Sequence, residues 1–212
     1  MGICFSTTSP QLLSLPYTFP YLIKGTSEEH QEPVQTHPPS STIYAPTESQ
    51  CLIRPATPAD IASITAIYAQ FVATTTATFE ITPPDEAEMH RRHHAVLDRN
   101  LPYLTAELEG YIVGFCYASQ FRPREGYRFT VEDSIYVRPD CIGHGVGKLL
   151  LAKLIAQCQA RGCHSMVACI CGHNPVSESL HRKLGFEQVG LLPEAGQKFN
   201  QWLQLQILQR PL

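Results

Sequence analysis

The stretch Ser134 to Arg161, SIYVRPDCIGHGVGKLLLAKLIAQCQAR, leaves a chain few ways to fold. Ser134 to Val137 reads as a strand that ends before Pro139, since proline cannot extend a ladder. Gly143, Gly145 and Gly147 follow as a turn, and then Val146, Leu150, Leu154 and Cys158 recur at helical spacing. A strand running through a glycine turn into a helix makes an anion cradle. The first backbone N–H groups of the helix lack partners, and the positive end of its dipole points the same way. Gly145 and Gly147 keep side chains out of the path of a pyrophosphate. Glycines also end strands and cap helices for structural reasons, so the spacing by itself leaves both readings open. It is not a P-loop, because Gly147-Lys148 is followed by Leu149 and not by Ser or Thr.

A chain of 212 residues can bury one sizeable core. Its net charge of -3 opposes nucleic-acid binding, which calls for a basic excess. The eight cysteines lie mostly in apolar runs without a disulfide-like spacing, which predicts reduced thiols and a cytoplasmic protein. No apolar run is long enough for a membrane span. Residues 1–50 are rich in Pro, Ser and Thr and read as a disordered arm preceding a domain over 51–212. The start, MGICFS, fits an acylation pattern with Gly2 as acceptor, which implies weak membrane association if it is used.

Within the domain, Leu52 to Pro55 reads as a strand, and Thr57-Pro58 starts a helix that buries Ile61, Ile64, Tyr68, Phe71 and Val72. A second helix starts at Asp85 and turns Met89, Val96 and Leu97 inward, with His90 to His94 on a solvated face. Glu109-Gly110 reads as a two-residue hairpin turn between two strands. The loop from Phe121 to Phe129 carries aromatics and arginines, a composition suited to binding. Ser165 to Ile170 forms a strand. Its Cys169, with Cys171, faces one side, and the C-x-C spacing favours plain thiols over a metal site. Asn174-Pro175 opens a helix to Leu184, and strands from Phe186 to about Leu192 and from Gln201 to Gln209 complete the chain. Adjacent strands early and crossover helices later predict a mixed sheet.

Tyr136 to Asp140 through Gly147 resembles motif A of the GNAT acetyltransferase superfamily, [QR]-x-x-G-x-[GA], and Asn174 to Phe186 resembles its motif B. From Ile53 to about Gln209 the chain is similar to the phosphinothricin N-acetyltransferase family. The resemblance implies an α/β (α+β) fold, a mixed and splayed central sheet of about six or seven strands with about four helices. It implies acetyl-CoA as co-substrate, no metal, a small amine as acceptor and a homodimer. Ile135, Val137, Ile142, Gly143, His144, Gly145, Val146, Gly147, Lys148 and Asn174 would then bind acetyl-CoA. Ile142 departs from the motif's Gln or Arg, although backbone N–H groups can serve in its place.

Acetyl transfer requires the amine to lose its ammonium proton, the thioester carbonyl to be polarised, and the thiolate to be tolerated or protonated. Glu132 stands where the family carries its base; Asp133 competes, but strand alternation allows one of the two to face the substrate. His181 stands at the family's histidine position as base or acid. Arg124, Phe121, Tyr127 and Phe79 match the family's substrate wall, an arginine fork suiting a carboxylate or phosphinate. The expected reaction is N-acetylation of a phosphinothricin, methionine sulfoximine or methionine sulfone type of amino acid. Acetylation of a polyamine or peptide, and CoA binding without catalysis, are the alternatives. Gln204 stands where family members carry an aspartate after the tryptophan, here Trp202, and bears on which substrate is taken.

Overall fold

The computed structural model describes residues 51–212, so the expected disordered arm and the Gly2 pattern lie outside the described residues. The elements run β1 (Cys51–Pro55), α1 (Ile61–Thr74), α2 (Glu86–Leu97), β2 (Tyr103–Leu108), β3 (Tyr111–Gln120), β4 (Thr130–Val137), α3 (Val146–Ala160), β5 (Ser165–Cys171), α4 (Pro175–Lys183), β6 (Glu187–Lys198) and β7 (Gln201–Pro211). The strands form one seven-stranded sheet in the order β1-β2-β3-β4-β5-β7-β6. Only the β4–β5 pair is parallel, which requires the crossover through α3; the other pairings are antiparallel. Among the described residues, no helix is long and apolar enough to cross a membrane.

Two cores lie on opposite faces of the sheet, and strand alternation sorts the residues between them. Tyr103 and Phe115 point to the α1–α2 face, whereas their neighbours Leu104 and Cys116 point to the α3 face. The expected stripe of α3, Val146, Leu150, Leu154 and Cys158, is buried throughout. At the start of the domain, Arg54 grips Asp60 through two guanidinium nitrogens (2.7 and 2.8 Å) and Glu107 through a third (2.9 Å). That grip holds the Asp60 carboxyl down to about 2. The hairpin at Glu109-Gly110 has positive φ at both residues (51° and 82°), as a type I′ turn demands.

Three local readings differ from the fold. His93 is buried, packed edge-on against Tyr103 with centroids 5.0 Å apart, and Leu97 is the exposed one. The stripe of α2 is therefore rotated from the expected face. Strand β4 begins at Thr130, so Glu132 lies inside the strand and not before it. Strand β6 runs on to Lys198 and ends in a turn at Phe199-Asn200, both at positive φ.

Candidate active site

The parallel ladder between β4 and β5 is short, from Thr130 opposite Ser165 to Asp133 opposite Ala168. Beyond it the strands part while each keeps its outer neighbour, β3 or β7. A cavity of about 1030 Å³ occupies the gap. Its two sides are the two faces of β4. Tyr136 shares the α1 face with Tyr68 and Phe71, whose rings meet it edge-on at 4.9 and 5.3 Å. Ile135 and Val137 share the opposite face with Leu180 of α4. By the same alternation Glu132 belongs to the aromatic side, and Asp133 to the α4 side.

The glycine turn reaches the cavity through Gly143, Gly145 and Gly147. Gly143 and Gly145 have φ of +86° and +84°, a region that L side chains enter at a cost of about 1–2 kcal/mol. Replacing Gly145 thus strains the backbone as well as filling space. A Cβ at Gly147 would come 3.3 Å from Leu180 Cδ2, so this glycine serves the packing of α3 against α4. Gly145 is the N-cap of α3 and offers no side chain; the first intrahelical bond runs from Leu149 N–H to the Gly145 carbonyl (3.1 Å). The preceding N–H groups of the first turn, Val146 to Lys148, are without helical partners. Across the cavity, Asn174 caps α4 by accepting from Ser177 N–H at 3.0 Å, and it also lines the wall.

Burial pushes the Glu132 carboxyl above the usual range. A hydrogen bond with the Cys169 thiol opposes this, the nearby Asp133 adds to it, and Arg122 opposes it. Burial likewise pushes Cys169 up to about 12, so this cavity thiol stays protonated. His181 is 2% exposed and its edge packs on Phe186 with centroids 5.0 Å apart. Its Nδ1–H donates to the Ser177 carbonyl at 2.7 Å, and its Nε2 lies 3.0 Å from Asp133 Oδ2.

Residues 64–186 match the acetyltransferase (GNAT) family model. The chain belongs to the GNAT acetyltransferase family. A phosphinothricin N-acetyltransferase of Alcaligenes faecalis is 47% identical over 163 residues, spanning 76% of this chain and 83% of that one. An L-methionine sulfoximine/L-methionine sulfone acetyltransferase of Pseudomonas paraeruginosa is 44% identical over 158 residues, spanning 74% of this chain and 92% of that one. Among solved structures, a GNAT superfamily phosphinothricin acetyltransferase from Sinorhizobium meliloti in complex with AcCoA aligns with a TM-score of 0.75. It is 46% identical and covers 77% of this chain and 89% of its own.

In this GNAT fold, Glu132 and His181 meet the same cavity from β4 and α4. The cavity wall also holds Ile135, Val137, Ile142, Lys148, Asn174 and Phe79. Val146 is in the α3 core, and His144 is not part of the wall. The arginine loop differs from its sequence reading. Phe121 N–H closes the loop on the Thr130 carbonyl (3.2 Å), which leaves Arg122 next to the strand ends and on the wall. Arg124 instead caps a short 3-10 turn, Glu125–Tyr127, at the exposed tip. Phe121 and Tyr127 pack on each other (5.8 Å) away from the wall, and the Arg122 guanidinium lies 4.3 Å over the Phe121 ring. Tyr68, Phe71, Tyr117 and Tyr136 complete the aromatic side. Helical and strand spacing marked the first two as core, and nothing in the pattern separates a core face from a cavity face.

The wall segment Ala77 to Phe79 is pinned by β6. Lys198, buried, donates from Nζ to the Thr78 carbonyl at 2.9 Å. A Cβ at Gly196 would fall 2.6 Å from Phe79 Cε1, closer than real contacts allow. Gly196→Ala therefore drives the Phe79 ring toward the cavity at an overpacking cost of about 1–3 kcal/mol. The expected result is a raised KM for the amine with unchanged acetyl-CoA affinity, alongside a lower melting temperature. An unchanged KM would mean that Phe79 does not bound the amine's space.

Proposed function

We propose that the chain moves the acetyl group of acetyl-CoA to the α-amine of a small acidic or oxidised amino acid, of the phosphinothricin, methionine sulfoximine or methionine sulfone type. One observation carries this reading: a single cavity joins unpaired N–H groups at the start of α3 to an aromatic side that holds Glu132 and Arg122. The donor end fits a pyrophosphate, since the first turn of α3 offers backbone donors with Lys148 beside them. Acetyl-CoA, when bound, supplies the acyl group as an activated thioester; as the N–C bond forms the C–S bond breaks, and CoA leaves as a thiol, its thiolate taking the proton that the new amide nitrogen gives up. The names of the relatives, given above, support the substrate class.

Each residue then has a task. The α3 N–H groups and Lys148 hold the pyrophosphate. Glu132 takes the ammonium proton of the substrate, and its raised pKa brings it closer to neutrality, where a general base works best. Arg122 presents a guanidinium fork to carboxylate or phosphinate oxygens. Tyr68, Phe71, Tyr117 and Tyr136 limit the length of the acceptor. The Arg122 guanidinium disfavours a polyamine beside it, which favours the amino-acid reading. A homodimer is supported by the β6–β7 hairpin, where Val189, Leu191, Leu192, Phe199 and Trp202 stand exposed. A cytoplasmic setting is supported by the free thiols among the described residues.

A panel of amines scored by acetyl-CoA-dependent thiol release tests the assignment. Phosphinothricin, methionine sulfoximine or methionine sulfone should give the highest kcat/KM. Faster turnover of polyamines or peptides would overturn the substrate class, and no release with any amine would overturn the activity.

A further inference from the structure

His181 has no ring nitrogen to spare. A carbonyl only accepts, so the 2.7 Å contact with Ser177 fixes the proton on Nδ1. Nε2 faces a carboxylate oxygen of Asp133 at 3.0 Å, with both side chains 2% exposed. A neutral ring with its lone pair aimed at an ionised carboxylate would be repelled in a dry site, and nothing else is placed to relieve it. Two arrangements satisfy both contacts: a doubly protonated ring donating to an ionised Asp133, and a neutral ring accepting from a protonated one. Ser177 Oγ, 3.4 Å from Nδ1, fits either; the hydrogen bond and charge of Asp133, which raise the histidine, favour the first. Asp133 Oδ1, the other oxygen, is buried with no hydrogen-bond partner, so the imidazole is the one donor this carboxylate has.

We infer that Asp133 is the positioning residue of this site: its carboxylate fixes His181 as an imidazolium with neither ring nitrogen free, leaving Glu132 as the sole base for the amine. The inference rests on the acetyl-transfer reading above and divides its roles. The base is on the aromatic face of β4, and the His181–Asp133 pair is on the α4 face, so one strand separates them by side-chain alternation alone. The surroundings agree. Burial opposes the charge on His181, but the hydrogen bond and charge of Asp133, with the Ser177 carbonyl, raise its pKa above the ordinary histidine value. The other titratable groups facing the pair are thiols, Cys116 on β3 and Cys158 on α3; Glu132, on the opposite face of β4, feels the Asp133 charge only through the strand. Burial raises both thiols, which therefore stay neutral. On α4 itself Glu178 and Arg182 pair with each other at 2.8 Å.

The stability consequence has a definite sign. Because the folded pKa of His181 lies above its unfolded value, the pair contributes fully below about pH 6.5. That contribution is lost as pH rises through the raised folded value.

The test uses the full chain without ligand, read by nitrogen-15 NMR of the histidine rings, with the His181 signals assigned from their loss in His181→Gln. In the wild type both His181 ring nitrogens should be protonated at acid pH, and the ring should lose a proton with a midpoint above the ordinary histidine value of about 6.5. A midpoint at or below about 6.5, or a ring whose Nε2 is bare below that pH, overturns the proposal. This reading needs no turnover, so it stands or falls independently of which amine is acetylated. In Asp133→Asn the midpoint should drop by about 1–3 pH units, the range expected for losing one close opposite charge. The kcat/KM profile should gain a limb that falls with rising pH near neutrality, and Asp133→Glu should partly reverse it. Unchanged NMR and pH profiles in a folded Asp133→Asn would overturn the assignment, and the wild-type titration decides the matter if that variant does not fold.

Discussion

Glu132→Gln lowers turnover by about 10²- to 10⁴-fold, the usual contribution of a positioned acid–base group. Gln keeps the size and the hydrogen-bonding reach of Glu but cannot take the ammonium proton. The deficit is therefore widest between the pKa of Glu132 and that of the substrate amine. Above the amine's own pKa the attacking nitrogen is already neutral, and the variant recovers. Steady-state kinetics across pH, with initial rates of thiol release, make the check; a deficit of constant size at every pH would mean that Glu132 positions and does not accept a proton. Stability moves the other way. The folded pKa of Glu132 is raised by burial, so its ionisation disfavours the fold as pH climbs from the unfolded value through the folded one. At neutral pH the Gln variant should melt no lower than the wild type. Reduced activity without reduced stability is the mark of a residue kept for chemistry.

Arg122→Ala raises the KM for a phosphinothricin-type substrate by about 10- to 100-fold, the worth of one charged hydrogen-bonded contact. Both arginines are exposed, but Arg122 is on the cavity wall and Arg124 is not, so Arg124→Ala leaves KM within about twofold. Arg122→Lys recovers part of the loss, since an ammonium matches the charge but not the fork. The effect should vanish for uncharged amines, which have no paired oxygens to lose. The Phe121 ring beneath the guanidinium pre-orders it, and the Arg122 Nη1 also donates to the Phe121 carbonyl at 3.0 Å. Equal effects of the two arginine substitutions would refute the placement of the substrate's acidic group.

Much of this geometry follows from short-range chemistry. The strand, glycine turn and apolar stripe from Ser134 to Cys158 are local patterns, and they fold as read except that the strand begins earlier, at Thr130. Alternation along β4 separated Glu132 from Asp133 before any tertiary information. What alternation cannot supply is the partner across space, and the contact between Asp133 and His181 joins residues brought together only when α4 packs on the sheet. The arginine loop was legible only as a loop: the closing bond from Phe121 to Thr130, which no periodicity encodes, puts Arg122 on the cavity wall and Arg124 at the tip. His93 carried the charge signature of a solvated face, yet its ring packs edge-on in the core with Nε2 3.3 Å from the Ala56 carbonyl. Strand β6 escaped notice beyond Leu192 because its pairing with β7 shifts register between Leu192 and Gly196, around Pro193, where no hydrophobic alternation survives.

The parting of β4 from β5 has a thermodynamic side. Backbone N–H and C=O groups of a parallel pair alternate in direction, so each strand beyond Asp133 and Ala168 turns some of its groups toward the gap, with no strand there to meet them. Such groups require partners. An amide-bearing ligand laid along the gap acts as a removable strand, and the sheet is one strand more complete for as long as it stays. Amide hydrogen exchange along the inner edges of β4 and β5 thus becomes a direct gauge of occupancy. By linkage, the melting temperature rises with ligand concentration.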